Sequence, residues 1–145
     1  MWEQKVTCGA AIFANPSCKE NTYTWSAALP FTEPTGTLYS DFLERLNDLK
    51  DPNDGTTTPC FANYCNWRIP TIGELQSILS APFPLCGPSP CIDPAFGPMQ
   101  GFLYWSSSSK ASTPVGAWFV SFETGDVSNG FKNATFNARA VRSVR

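Results

Sequence analysis

The spacing of the hydrophobic residues changes halfway along the chain. Large apolar residues recur every three or four positions over 42–49 and again over 75–79, as in a helix with one buried face. From residue 102 onward, apolar and polar residues alternate, which is typical of half-buried strands. The pattern predicts an α+β domain, with two or three short helices in the first half packed on an antiparallel sheet formed by the second half.

Capping residues predict where the helices begin. Thr71 followed by Glu74 is a capping box, so a helix should start there. Asp41 can act as an N-cap, and with Glu44 three positions later it predicts a second helix of about ten residues. A third, shorter helix is predicted over 24–29.

The second half should form a meander of strands. Strands are predicted over 102–106, 118–122, 127–132 and 139–145. The segment 82–101, which is rich in proline and glycine, predicts a long irregular loop.

Composition narrows the classes of function. The 145 residues include no histidine, which excludes a Ser-His-Asp triad, a Cys-His pair and imidazole metal ligands. The formal net charge of -2 argues against a general nucleic-acid-binding protein. No apolar run approaches the length of a membrane span. We therefore expect no nucleic-acid partner, no membrane span and no cofactor.

The cysteines form three local pairs. Each pair brackets a segment rich in Pro, Asn, Ser or Gly, as disulfide-closed loops often do. In chain order the pairs are Cys8 with Cys18, Cys60 with Cys65, and Cys86 with Cys91. Free thiols and a zinc site made by the last four cysteines remain alternatives. Disulfides would place the protein in an extracellular, periplasmic or cell-surface setting.

Short motifs along the whole chain resemble those of one family. The matching segments are residues 1–3 (MWE), 22–25 (TYTW), 66–71 (NWRIPT), 104–108 (YWSSS), 117–125 (AWFVSFETG) and 139–145 (RAVRSVR). Their order resembles the bacterial family named for the C-terminal domain of the Legionella collagen-like protein. The cysteine of the family's closing motif is Ser143 in this chain.

The resemblance implies a compact fold similar to that of C-type lectins, in a secreted or surface-anchored protein. A length of 145 residues is that of one domain, so we expect 1–145 to be a single domain. Because the family's opening strand has no counterpart here, we also expect it to be an N-terminally truncated fragment of a larger secreted or surface protein. The namesake domain is an adhesin that binds sulfated polysaccharides. The family has no agreed catalytic residues, so no catalytic site is carried over.

The motif residues have both a structural and a ligand-binding interpretation. They are Trp67, Arg68, Pro70, Glu74, Trp105 and Trp118. Tryptophan rings can stack on sugars, but in a domain with a sheet they more often fill the core. Arg68 is expected to hold backbone carbonyls or Glu74 rather than a ligand.

The C-terminal twenty residues carry an excess of positive charge. This segment contains one acidic residue, Asp126, and four basic residues, which are Lys132, Arg139, Arg142 and Arg145. They are the candidate ligands for the sulfates or carboxylates of an acidic polysaccharide. Solvated or structurally paired side chains are the alternative.

The serines after Trp105 have no histidine as a base, and a Ser-Lys pair with Lys110 is disfavoured by strand alternation. No catalytic residue and no metal ligand is therefore assigned. We expect a non-catalytic extracellular recognition or adhesion module, whose partner is a glycan or a host or cell-surface protein. A structural domain of a surface or pilus-like protein and a lectin-fold enzyme remain alternatives.

Overall fold

The computed structural model describes residues 1–47, 60–81, 85–86, 89–98 and 103–144. Its architecture is α+β, with helical segments in the first half and antiparallel strands in the second, as predicted. In chain order the elements are β1 (Tyr23–Thr24), a π-helical stretch (Leu38–Leu43) that continues into α1 (Glu44–Asn47), a 3-10 turn (Phe61–Asn63), α2 (Ile72–Ser77), a second 3-10 turn (Pro94–Phe96), β2 (Leu103–Ser109), β3 (Gly116–Ser121), β4 (Val127–Phe131) and β5 (Thr135–Phe136). None of the helices in these ranges is long and apolar enough to cross a membrane.

The main sheet has the strand order β2-β3-β4, and all of its pairs are antiparallel. Gly125, with φ of 80°, occupies the turn between β3 and β4, where a side chain would be strained. β1 pairs with β5 in a second, two-stranded sheet. The three strands predicted over 102–106, 118–122 and 127–132 therefore exist, with ends shifted by a few residues.

Both faces of the main sheet are covered. One buried cluster joins β1, α1 and the sheet; its members are Tyr23, Trp25, Leu38, Phe42, Leu46, Trp67, Ile69, Trp105, Ala117, Ala138 and Ala140. The other lies under α2; its members are Leu75, Ile78, Ile92, Tyr104, Val120 and Phe122. Buried clusters therefore lie on both faces of the main sheet, whereas the alternating pattern predicted strands with one buried face.

The capping box of α2 is confirmed. The Thr71 hydroxyl accepts a hydrogen bond from the Glu74 backbone N–H, and the Glu74 carboxylate accepts one from the Thr71 N–H. This arrangement satisfies two N–H groups that a helix start would otherwise leave unpaired. It also holds Leu75, which has no exposed surface, against the sheet.

The helix predicted over 24–29 is wrong. Tyr23 and Thr24 form β1, and the backbone N–H groups of Trp25 and Ser26 both donate to the Lys132 carbonyl. The local helix signal is overridden because Trp25 is buried against the second half of the chain, where its indole N–H donates to the Ser106 carbonyl.

The second predicted helix exists but begins earlier than expected. Thr37 occupies the N-cap position and makes no capping hydrogen bond with its side chain. Asp41 lies inside the helical stretch and pairs with Arg45 one turn later. An i,i+4 ion pair on the helix surface therefore accounts for the acid that the sequence suggested as a cap.

The strand predicted over 139–145 is also wrong. Val141 forms isolated bridges with Trp2 and with Arg68 instead of joining a sheet. The first residues run antiparallel to this segment: the Glu3 N–H donates to the Ala140 carbonyl over 3.0 Å, and the Arg142 N–H donates to the Met1 carbonyl over 2.8 Å. The two ends of the described chain therefore lie side by side.

Candidate functional site

The three predicted disulfides are present. Cys8 pairs with Cys18, Cys60 with Cys65, and Cys86 with Cys91. The zinc alternative is therefore wrong, because its four thiolates are consumed in bonds to one another. Glu20 approaches Cys8 and Cys18, but it accepts the backbone N–H groups of Cys8 and Gly9, and neither sulfur is free to bind a metal. The loop 82–101 lies partly outside the described residues.

The basic residues of the C-terminal segment do not form one exposed stripe. Lys132 and Arg139 are buried, Arg142 is 8% exposed, and Arg145 lies outside the described residues. Arg142 lies 3.5 Å from the centre of the Tyr64 ring and donates to the Asn66 amide oxygen. Arg142 is therefore paired with other side chains of the protein, which the sequence analysis gave as the alternative to ligand binding.

Arg139 belongs to a buried ionic group near the chain ends. Its Nη1 donates to the carbonyls of Glu3 and Phe96, each over 2.8 Å. The Glu3 carboxylate pairs with Lys5 Nζ at 2.8 Å and accepts the Ala140 N–H. Burial lowers the pKa of Lys5 and of Arg139, and the charge of Glu3 opposes both shifts. The group has almost no exposed surface, and its hydrogen bonds join the two ends.

Most of the motif residues are structural. Trp67 and Trp105 are 3% and 0% exposed, and each indole N–H donates to a backbone carbonyl. Pro70 is buried just before α2. Arg68 makes a bidentate ion pair with Glu74, which is one of the two interactions expected from the sequence.

Trp118 differs from these two tryptophans because it is only half-buried. The register of β3 and β4 pairs it with Asn129 on the neighbouring strand. Lys110, just after β2, places Nζ 3.3 Å from the Asn129 amide oxygen and 5.9 Å from the centre of the Trp118 ring. We call these three residues the Trp118 cluster. It unites an aromatic face, an amide and a cation, all partly accessible to solvent.

The sequence pointed to Trp118 but missed its two partners. Asn129 carries no motif signal, and the sequence indicates Lys110 only as a possible base for the serines. The pairing of Trp118 with Asn129 depends on strand register, which short sequence patterns do not specify. The only clue in the sequence is that Asn129 is a polar residue within the strand predicted over 127–132.

The serines of the run 106–109 make hydrogen bonds to different parts of the fold. The Ser106 hydroxyl donates to the Trp118 carbonyl over 2.7 Å, and the Ser108 hydroxyl accepts the Ile72 N–H at the start of α2. Ser109 contacts Lys132 rather than Lys110. Sequence reasoning missed this pair because 23 positions separate its members.

Two surface cavities lie outside this cluster. One, of about 440 Å³, is lined by Tyr39, Leu43, Glu44 and Asn47. The other, of about 360 Å³, is lined by Phe31, Val115, Phe131 and Asn133. The first is open and shallow, and the second is largely apolar.

Comparison with known proteins gives one match. The sequence model of the family described as the Lcl C-terminal domain matches residues 1–142. No curated protein and no solved structure matches the chain.

Proposed function

Because the chain belongs to the Lcl C-terminal domain family, we propose that it is a non-catalytic recognition module that binds acidic glycans through the Trp118 cluster. The three disulfides fit a protein that works outside the reducing cytosol. The proposed setting is a cell surface or the extracellular space.

The observation that carries the proposal is the exposure of Trp118 beside a cation. Trp67 and Trp105 are buried in the core, whereas part of the Trp118 side chain is accessible to solvent. An aromatic face accepts the apolar face of a sugar ring, and the amide of Asn129 can bond to a hydroxyl. Lys110 adds a positive charge that favours a sulfate or a carboxylate on the sugar.

The C-terminal basic residues are not part of this proposal. Lys132 and Arg139 have almost no accessible surface, and the Arg142 guanidinium is engaged by Tyr64 and Asn66. A polysaccharide would reach the half-buried Lys110 with less rearrangement than any of these three.

Titration of immobilised heparin and of neutral dextran at two salt concentrations tests the proposal. We expect binding to heparin that weakens as salt rises, because the charge of Lys110 is screened. Trp118→Ala should weaken binding about tenfold, which corresponds to about 1.4 kcal/mol. Lys110→Gln should weaken heparin binding and reduce its dependence on salt.

The matched control is Lys19→Gln, which removes the same charge from a half-buried lysine outside the cluster. Binding of this variant should equal that of the unaltered protein. Thermal unfolding of each variant checks that the fold is intact. Absence of binding to both polymers, or full binding by a folded Trp118→Ala variant, would reject the proposed site.

A further inference from the structure

A lysine outside the Trp118 cluster meets the end of the serine run. Lys132 Nζ is hydrogen-bonded to Ser109 Oγ and lies 2.8 Å from the Thr32 carbonyl oxygen. It also lies 4.0 Å from the centre of the Trp25 ring. Lys132 is 1% exposed, whereas Ser109, the last residue of β2, is exposed. An exposed serine is therefore hydrogen-bonded to the amine of a buried lysine.

Burial disfavours the charged form of Lys132, whereas the Trp25 ring beside Nζ favours it. Within the described ranges no carboxylate forms an ion pair with its amine. Burial lowers the pKa of Lys132, and the more distant charge of Glu33 opposes this shift only in part. Proton loss therefore costs less at Lys132 than at a lysine in water.

A neutral amine at Nζ can keep all three of these contacts. A neutral amine has two N–H bonds and one lone pair. A charged Nζ donates to Ser109 Oγ. In the neutral form one N–H can donate to the Thr32 carbonyl, the other can point at the Trp25 ring, and the lone pair can accept the Ser109 O–H instead. A serine hydroxyl bonded to a neutral amine is the pairing that activates a serine as a nucleophile when histidine is absent.

We propose that Ser109 is a nucleophile, with Lys132 as its general base, and that it accepts an acyl group from activated esters such as aryl esters and thioesters. In this step a bond forms between Ser109 Oγ and the carbonyl carbon of the ester. The proton of the hydroxyl moves to Lys132 Nζ. The bond from that carbon to the phenolate or thiolate breaks, and Lys132 then returns its proton to the leaving group or to water.

This reactivity goes beyond the proposed recognition function and is independent of it, since none of the three residues of the Trp118 cluster takes part. The product is an acyl ester on Ser109. The step needs no metal or redox partner, because it exchanges one ester for another.

Reaction of the folded, disulfide-bonded protein with p-nitrophenyl acetate tests the proposal. We expect release of p-nitrophenolate together with one acetyl group on Ser109, located by peptide mass spectrometry. Ser109→Ala should abolish that modification. Lys132→Met should slow it about a hundredfold or more, the usual size of a general-base contribution. Ser112→Ala, a change at another exposed serine, should leave the rate unchanged.

A pH profile gives a second readout if the buried Lys132→Met variant fails to fold. The amine must be neutral to accept the proton, so the acetylation rate at Ser109 should rise with pH and level off, with its midpoint below the ordinary lysine pKa of 10.5. Any one of three results would overturn the proposal: acetyl groups only on amines, a rate at Ser109 that rises with hydroxide without levelling, or an unchanged rate in a folded Lys132→Met variant.

Discussion

Arg68 and Glu74 illustrate how a single pair of side chains can serve two structures. Two guanidinium nitrogens of Arg68 lie 2.6 and 2.7 Å from the Glu74 carboxylate oxygens, and the same carboxylate caps α2. Arg68 also exchanges backbone hydrogen bonds with Val141. The pair therefore links the start of α2 to the C-terminal segment.

The ionisation of Glu74 should make stability depend on pH. Hydrogen bonds from Arg68 and Thr71 lower the pKa of Glu74 to about 2, from the ordinary value of 4.5. A lowered carboxyl pKa stabilises the fold above pH 4.5, and this contribution is lost as pH falls from 4.5 towards 2. Because both side chains are partly exposed, we expect Glu74→Gln to cost only about 0.5–1 kcal/mol at pH 7.

Chemical unfolding of both proteins at pH 7 and at pH 2 measures this difference. The gap in unfolding free energy should narrow at the lower pH. Glu123→Gln, at an exposed turn residue, is the matched control and should change stability little. An equal gap at both pH values would mean that the carboxylate charge is not what stabilises the pair.

At the residue scale the sequence predicted Trp67, Trp105 and Arg68 well. Each belongs to a motif whose neighbours determine its role: a core position within an apolar segment, or an acid six positions away. Lys132 was predicted poorly, because a basic residue at the end of a strand ordinarily points to solvent. Its burial depends on Trp25 and Thr32, which lie about a hundred positions earlier in the chain.

At the scale of elements, α2 shows how a short helix depends on its first turn. It has six residues, too few to be stable without its cap and its buried leucine. The cap is encoded by Thr71 and Glu74, so this helix could be predicted from sequence. β1 could not, because its partner β5 lies more than a hundred positions away.

We expect Thr71→Ala to destabilise the protein by about 1 kcal/mol, since it leaves the Glu74 N–H without its hydroxyl acceptor. Urea unfolding followed by tryptophan fluorescence measures the change. The same substitution at exposed Thr22 is the control and should have little effect. Equal stability of the Thr71→Ala variant would show that the cap is dispensable.

At the scale of the whole molecule, the buried pair of Glu3 and Lys5 connects the start of the chain to its end. Both side chains are at most 2% exposed, and the Glu3 carboxylate also holds the Ala140 N–H. Glu3 belongs to a family motif, but the sequence did not predict that the pair is buried, because charged residues near an apparent terminus are expected to be solvated. The pair is buried because Arg139 and Phe42 pack around it.

Glu3→Gln should be strongly destabilising, by about 3–5 kcal/mol, because it leaves the Lys5 ammonium buried without a counter-charge. The double change Glu3→Met with Lys5→Met removes both charges and should cost less than the single change. Urea midpoints at neutral pH provide the comparison, with Gln4→Met as an exposed neighbouring control. A double variant less stable than Glu3→Gln would contradict this account.

The side-by-side course of residues 1–3 and 140–142 also has a mechanical consequence. Tension applied across the two ends would pull the Met1–Arg142 contacts apart before the Glu3–Ala140 contacts, so their hydrogen bonds would break in sequence, like a zipper, rather than together in shear. The first strong resistance would come from the buried pair of Glu3 and Lys5, which lies next to the Glu3–Ala140 hydrogen bonds. The rate at which that pair opens would then set how long the domain survives under load.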